Sequence, residues 1–336
     1  MPDSKYNSSF INQVINPDHC FLCSSAGNIG DEHVFPKWLQ RKHNLWDQKL
    51  ILTNNSKISY RDLTIPCCTI CNTTHLSRLE ARISEAVNDG YEACTQLEPI
   101  LIYQWMAKIY YGIIRKEATL LFDRSNPFGP NIMSEDWLNN LHTLYLFIQS
   151  IRRPLIFEPK YPFSVFVVNL HGLGEERNFD FRDSILHLTS SFRSDGIGFI
   201  VSFEDAAINQ YSYGRYLKDV NGRKLHPVQF DELYARVTYQ TSLLNRTPKF
   251  ITSIPDNDLL PISVYMSPLK GLSNKPILDE WNIEEFAGYY AKVLETWFGP
   301  NLLEDPSFFK APDMVSTWMT KSDGKLVLFD EDLTPI

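Results

Sequence analysis

Two short stretches, Cys20-Phe-Leu-Cys23 and Cys68-Thr-Ile-Cys71, decide how the first part of this chain folds. Each contains two cysteines separated by two residues, and 44 residues lie between the two pairs. A C-x2-C spacing turns two thiolates toward one ion, and two such pairs complete a tetrahedral site of four thiolates. The sequence therefore predicts a structural zinc ion bound by four side chains: Cys20, Cys23, Cys68 and Cys71.

The two remaining cysteines have less decisive positions. Cys67 adjoins the second pair and is an alternative ligand to Cys68, although its spacing to Cys71 is the less usual one of three intervening residues. Cys94 lies in a helical pattern and is more typical of a core residue than of a ligand.

Polar residues with catalytic potential lie between and directly after the cysteine pairs. The segment Asp31-Glu32-His33-Val-Phe-Pro36-Lys-Trp38-Leu39 begins eight residues after Cys23, and Asn72 directly follows Cys71. A hydrolytic site of this kind needs a base that deprotonates water and a cation that neutralises the departing oxygen. A neutral imidazole suits the first task, and carboxylates suit a hard divalent ion. Glu32 and His33 supply one group of each kind.

In this order the motifs resemble those of the HNH endonucleases, also called ββα-metal or His-Me finger endonucleases. The chain is similar to the subgroup with two C-x2-C pairs, an E-H-x-x-P-x-W-L motif, an asparagine after the last cysteine and a Leu-Glu pair. The last element reads Leu79-Glu80 here, and the resemblance covers about residues 18–85. It implies a zinc-stabilised ββα-metal nuclease domain of treble-clef-like form, in which a two-stranded ribbon and a helix build the site.

The resemblance also implies roles for single residues. His33 would be the general base, Glu32 a ligand of a catalytic Mg²⁺ or Mn²⁺, and Asn72 the residue that orients His33. The second metal ligand of the family lies on the helix eight or nine residues beyond the asparagine, which favours Glu80. His75 is the alternative, either as the ligand or as a phosphate contact. The sequence indicates no other substrate-binding residue.

The function implied is metal-dependent cleavage of DNA, with RNA as a further possible substrate. Members with appended domains resemble restriction or anti-phage defence effectors, and we expect a regulatory protein partner or a homo-oligomer. Two alternatives remain open. One is a non-catalytic, zinc-stabilised module that binds nucleic acid or protein, and the other is a toxin-like RNase.

Amino-acid composition and charge restrict these functional interpretations. The 336 residues are 43% hydrophobic and 21% charged, with a net charge of −8, so the chain is not expected to coat nucleic acid through bulk positive charge. The excess of acidic residues lies entirely beyond residue 160. No apolar run approaches the roughly 18 residues of a membrane span, and the first residues lack a signal-peptide pattern. We therefore expect a cytoplasmic protein without a membrane partner.

Hydrophobic periodicity divides the chain into three segments. Residues 1–95 are predicted to form the nuclease domain, residues 96–155 a helical connector, and residues 156–336 a regulatory or oligomerisation domain of α+β class with a mostly antiparallel sheet. The helix expected over about 97–122 contains Lys108, Arg115 and Lys116. These three side chains are expected on a solvated helix face, with contact to a DNA backbone as the alternative.

Overall fold

The computed structural model describes residues 16–174, 178–220, 222–257, 259–271, 273–305, 307–311, 314–321, 325–330, 332 and 334–336. The chain divides into two compact units. The first contains the described residues within Met1–Asn88, together with Leu97–Glu158 and Ile251–Tyr265. The second contains the described residues within Asp89–Gln96, Pro159–Phe250 and Met266–Ile336.

The first unit contains short strands and a set of helices. Its strands are β1 (Ile29–His33), β2 (Lys49–Ile51), β3 (Lys57–Ser59), β4 (Thr64–Cys68) and β5 (Leu155–Glu158). Its helices are α1 (Lys37–Lys42), α2 (Ser77–Asp89), α4 (Pro99–Glu117), α5 (Glu135–Asn140) and α6 (His142–Ile148), while α3 (Tyr91–Thr95) belongs to the second unit. A π-helix, Cys71–Leu76, leads directly into α2.

An antiparallel ribbon of β1 and β4 underlies the site. Its register pairs Ile29 with Cys68 and His33 with Thr64, without interruption between them. After β4 the chain passes through the π-helix Cys71–Leu76 into α2. The second strand of the ribbon is therefore followed directly by a helix. The apolar stripe of α2, which includes Leu79 and Ile83, is buried.

Helix α4 is buried along most of its length in the first unit. Apolar side chains cover all of its faces rather than one stripe, and Trp105, Tyr110 and Ile109 are fully buried. The solvated face predicted for its basic residues is therefore wrong for Lys108 and Arg115, which are 0% and 2% exposed. Neither can contact a DNA backbone in this conformation, since both are enclosed by protein.

The second unit is built on a four-stranded antiparallel sheet with the order β6-β9-β8-β7. Its strands are β6 (Ser164–Asn169), β7 (Phe179–Ser184), β8 (Thr189–Ser194) and β9 (Ile197–Ser202). The two central strands, β8 and β9, are buried along their whole length. The region after the sheet forms α7 (Ile208–Val220), α8 (Pro227–Ser242), α9 (Ile283–Phe298), β12 (Phe309–Ala311) and β13 (Met314–Val315).

The helices α8 and α9 of the second unit each begin at a side-chain cap. The side chain of His226 accepts the backbone N–H of Val228, and Pro227 takes the first helical position of α8. Asn282 accepts the backbone N–H groups of Glu284 and Glu285 at the start of α9. Helix α8 packs on β8 and β9, and α9 packs on α8.

The predicted α+β class with mostly antiparallel sheets is confirmed. The exception is a small sheet of the order β10-β11-β5, in which β11 (Ile262–Met266) runs parallel to β5 and pairs on its other side with β10 (Phe250–Ser253). The predicted nuclease domain and helical connector fall in the first unit, except for Asp89–Gln96. In the part of the chain that the structure describes, no helix is long and apolar enough to cross a membrane.

A glycine sets how closely α8 approaches the sheet. A Cβ atom at Gly198 of β9 would lie 2.4 Å from Cε2 of Phe230, well inside van der Waals contact. By contrast, a Cβ atom at Gly288 of α9 would meet nothing within 4 Å. Close packing of the second unit therefore depends on the absence of a side chain at the first position and not at the second.

We predict that Gly198→Ala lowers the free energy of unfolding by about 1–3 kcal/mol, because the ring of Phe230 must shift out of a packed core. The matched control Gly288→Ala should be neutral or stabilising by up to about 1 kcal/mol, since alanine is the better helix former. Urea denaturation of the full chain, followed by circular dichroism, measures both. Equal effects of the two substitutions would contradict the packing argument.

Candidate functional site

The four cysteines predicted as zinc ligands lie together. Their Sγ atoms are all within 4.8 Å of one another, and the Sγ atoms of Cys23 and Cys68 are 3.6 Å apart. In a tetrahedral site with Zn–S bonds of about 2.3 Å, neighbouring sulfurs are about 3.8 Å apart. The group fits these dimensions and could hold a structural metal ion such as zinc.

Local backbone geometry forms the first half of this group. The N–H of Cys20 donates to the carbonyl of Ser25, and the N–H of Ser24 donates back to the carbonyl of Cys20. Ser24 and Asn28 take left-handed conformations, with φ of 57° and 47°. The resulting tight turn places Cys20 and Cys23 beside the end of the β1–β4 ribbon, where β4 delivers Cys68.

The structure places Cys68 in the group and Cys67 outside it. Adjacent residues of a strand point to opposite faces, so only one of the two can turn toward the first pair. Cys67 is buried and its Sγ lies 3.9 Å from that of Cys20, but it does not belong to the group of mutually close thiols. Cys94 is also fully buried and lies apart from that group, as predicted for a core residue.

The protonation of these thiols is strongly coupled. Hydrogen bonds with Cys23, Cys67 and Cys71 hold the pKa of Cys20 far below its usual range. The same hydrogen bond to Cys20, together with burial, raises the pKa of Cys67, and bonds to Cys20 and Cys23 raise the pKa of Cys71. A bound cation would favour the thiolate forms of its ligands.

The carboxylates predicted as ligands of a catalytic metal also meet. Glu32 lies on the buried face of β1 and Glu80 in the first turn of α2. Both bind the same cation, the ammonium of Lys108, with Nζ–Oε1 distances of 2.7 Å to Glu32 and 3.0 Å to Glu80. Burial raises the pKa of Glu80, and Lys108 counteracts part of that rise. The sequence predicted that Glu32 and Glu80 lie together, but it did not indicate the lysine between them.

His33 ends β1 and is partly exposed, whereas the adjacent Glu32 is buried. The regular pairing of β1 with β4 contains no bulge that would turn both side chains the same way. The ring of His33 stacks on Trp46, with centroids 5.7 Å apart. Burial, and then Lys37, lowers the pKa of His33 below its usual value of 6.5, so the ring is neutral at pH 7.

The other two predicted residues lie in the π-helix Cys71–Leu76. Asn72 is half-buried, and its proposed role in orienting His33 stays a prediction. His75 is half-buried, and its pKa is lowered by burial and then by Arg152 and Arg78. Two arginines beside His75 are a poor environment for a metal ion and a good one for a phosphate. No sequence motif singled out Arg152 as a site residue.

Among the residues described, the four cysteines are the only group of three or more His, Cys, Asp and Glu side chains whose ligand atoms all lie within 4.8 Å. Glu32, Glu80 and His33 therefore form no ready-made cage of three ligands. The remaining motif residues pack: Pro36 and Leu39 are buried, and Trp38 stacks on Trp105 of α4 with centroids 6.1 Å apart. Comparison with protein-family models, curated proteins and solved structures finds no match to this chain.

We predict that Cys68→Ser removes the bound metal and lowers the melting temperature, because a tetrahedral site loses one thiolate. The matched control is Cys67→Ser, which should retain about one metal ion per chain since Cys67 lies outside the group. Elemental analysis after dialysis against a weak chelator gives the metal content, and a thermal melt gives the stability. Loss of metal in Cys67→Ser but not in Cys68→Ser would reverse the assignment.

Proposed function

We propose that this chain is an HNH endonuclease, a metal-dependent phosphodiester hydrolase whose substrate is DNA. One observation carries the proposal: the carboxylates of Glu32 and Glu80, from a strand and a helix 48 residues apart, meet at the end of β1 where His33 lies. An acid pair that includes a residue of the same strand as a neutral imidazole supplies groups that could hydrolyse a phosphodiester. The two C-x2-C pairs that flank Glu32 and His33 support the same family.

In this proposal His33 is the general base. Its ring is neutral at pH 7 because burial lowers its pKa, and it is open enough to solvent to accept a proton from a water molecule. Stacking on Trp46 restricts the orientation of the ring. Asn72 would orient it further after substrate binds.

Glu32 and Glu80 would hold a divalent ion, Mg²⁺ or Mn²⁺. Carboxylate oxygens are the ligands such ions prefer, and the two side chains remain 10% and 20% exposed. When bound, the ion would neutralise charge on the leaving oxygen. Neighbouring phosphates would be bound by His75, Arg78 and Arg152. These local contacts would supply the attraction to DNA that the net negative charge of the chain does not.

A structural zinc ion at Cys20, Cys23, Cys68 and Cys71 would have a separate role in this scheme. All four positions of a tetrahedral ion are filled by protein, so no site is left for water or substrate. The ion would clamp the turn before β1 to the end of β4 and thereby fix the strand that carries Glu32 and His33.

A second candidate is a zinc-stabilised binding module without turnover. The observation that favours it is the position of Lys108, since the ammonium already neutralises part of the charge of Glu32 and Glu80. A third, the toxin-like RNase, shares the site and differs in substrate. Under the first proposal, the acidic second unit serves as a regulatory or oligomerisation domain of a restriction or anti-phage effector.

We expect purified protein to nick supercoiled plasmid with Mn²⁺ or Mg²⁺ and His33→Ala to reduce the rate by at least about 100-fold, the usual contribution of a general base. His142→Ala, an exposed histidine of α6, is the matched control and should cleave at the wild-type rate. Equal cleavage by wild type and His33→Ala would exclude His33 as the base. Absence of cleavage by every preparation favours the binding module, and cleavage of RNA alone favours the RNase.

The pH dependence of cleavage tests the base separately. A general base works only when unprotonated, so the rate should fall as the pH drops through the pKa of His33. Since burial lowers that pKa, the midpoint of the acidic limb should lie below 6.5. Single-turnover rates at saturating Mn²⁺ between about pH 5 and 8 give the midpoint. A midpoint above 6.5 would indicate that another group controls proton transfer.

A further inference from the structure

Lys108 is enclosed in a way that a structural lysine rarely is. Its Nζ lies within hydrogen-bond distance of four oxygens: Oε1 of Glu32 at 2.7 Å, Oε1 of Glu80 at 3.0 Å, the carbonyl of His33 at 2.6 Å and the carbonyl of Val34 at 3.1 Å. The side chain is fully buried. An ammonium has three protons, so these four oxygens saturate it and surround it as they would a metal cation.

The protonation state of this lysine follows from its neighbours. Its Nζ is paired with the carboxylates of Glu32 and Glu80, which favour the charged ammonium. The ammonium is therefore charged at neutral pH. The trio of Glu32, Glu80 and Lys108 has a net charge of −1 when both acids are ionised, whereas the acids alone would have −2.

The helix fixes the place of the ammonium. Trp105, Lys108 and Gly112 lie on one face of α4, at spacings of three and four residues. Trp105 stacks on Trp38, and a Cβ atom at Gly112 would lie 3.0 Å from the side chain of Val34. This close approach of α4 to the end of β1 brings Nζ within hydrogen-bond distance of both carboxylates.

Both acids keep part of their surface open. Lys108 binds Oε1 of each, while the side chains of Glu32 and Glu80 remain 10% and 20% exposed. A divalent ion that approaches from solvent would therefore meet two carboxylates that Lys108 already orients. It would also meet the repulsion of a fixed positive charge a few ångströms away.

We propose that Lys108 is a positioning residue that holds Glu32 and Glu80 together and weakens their affinity for a divalent cation. The inference rests on the proposed function for the identity of the metal-binding pair. It adds that two cations, the tethered ammonium of Lys108 and an exchangeable divalent ion, share the same two carboxylates. Weaker binding would leave the site empty at low free concentrations of the ion, until substrate adds further oxygen ligands.

Equilibrium Mn²⁺ binding to the full-length, zinc-loaded chain tests this without any turnover. Lys108→Met keeps the apolar stem and removes the charge, so we expect its Mn²⁺ dissociation constant to fall by at least about tenfold. The matched control, Lys116→Met, removes a half-buried lysine of the same helix that interacts with Asp31 and Asp62, and should change the constant by less than about twofold. The double variant with Lys108→Met and Glu80→Gln should lose this tighter binding, because one of the two carboxylates is removed.

An unchanged or weaker affinity in Lys108→Met overturns the inference, as does an equal gain in Lys116→Met. If Lys108→Met does not fold even with Mn²⁺ present, Lys108→Arg decides. Its guanidinium keeps the charge and can bind both oxygens of a carboxylate, so affinity should fall below that of wild type. Affinity equal to or above wild type in the arginine variant would also overturn the inference.

The two proposals fail in different ways. Tighter Mn²⁺ binding by Lys108→Met without plasmid cleavage by wild type would support the role of Lys108 and reject the endonuclease. Cleavage that depends on His33, with Mn²⁺ affinity unaffected by Lys108→Met, would support the endonuclease and reject the role of Lys108.

Discussion

The antiparallel pairing of β1 with β4 is the constraint on which the site depends. Its register sets Ile29 opposite Cys68, so the turn that contains Cys20 and Cys23 lies beside the second cysteine pair. The same register points Glu32 inward and leaves His33 at the open end of the strand. A shift by one residue would exchange these two faces and bring Cys67 to the position of Cys68, because the side-chain period of a strand is two residues.

The first unit also buries a charged side chain, Lys108, on the largely apolar helix α4. Removing one partner of a buried ion pair commonly costs about 3–5 kcal/mol, because the other charge is left without compensation. Glu32, Glu80 and Lys108 come from β1, α2 and α4, so their mutual attraction joins three elements that are far apart in the chain. The ammonium of Lys108 stabilises the cluster because it lies between two carboxylates, and a divalent cation would bind to the same two carboxylates.

The second unit uses the same device around α8. Asp231 is fully buried and accepts from Arg182 and from Nε1 of Trp297. Glu232, next in sequence, binds Arg236 and accepts from the hydroxyl of Tyr290. Each acid is satisfied by several donors, as buried charges must be. Neither was distinguishable in the sequence from an ordinary acid on a solvated helix face.

The sequence by itself determined the elements that depend on local spacing. The C-x2-C pairs identified the thiol group, and helical periodicity predicted α4. Only the tertiary structure decided that Cys68 rather than Cys67 completes the group and that Lys108 lies between the two acids. Periodicity reports which faces of a helix are apolar, whereas the partner of a buried charge depends on which strand and helix pack against it. Glu32 and Lys108 are 76 residues apart, and no local pattern encodes their contact.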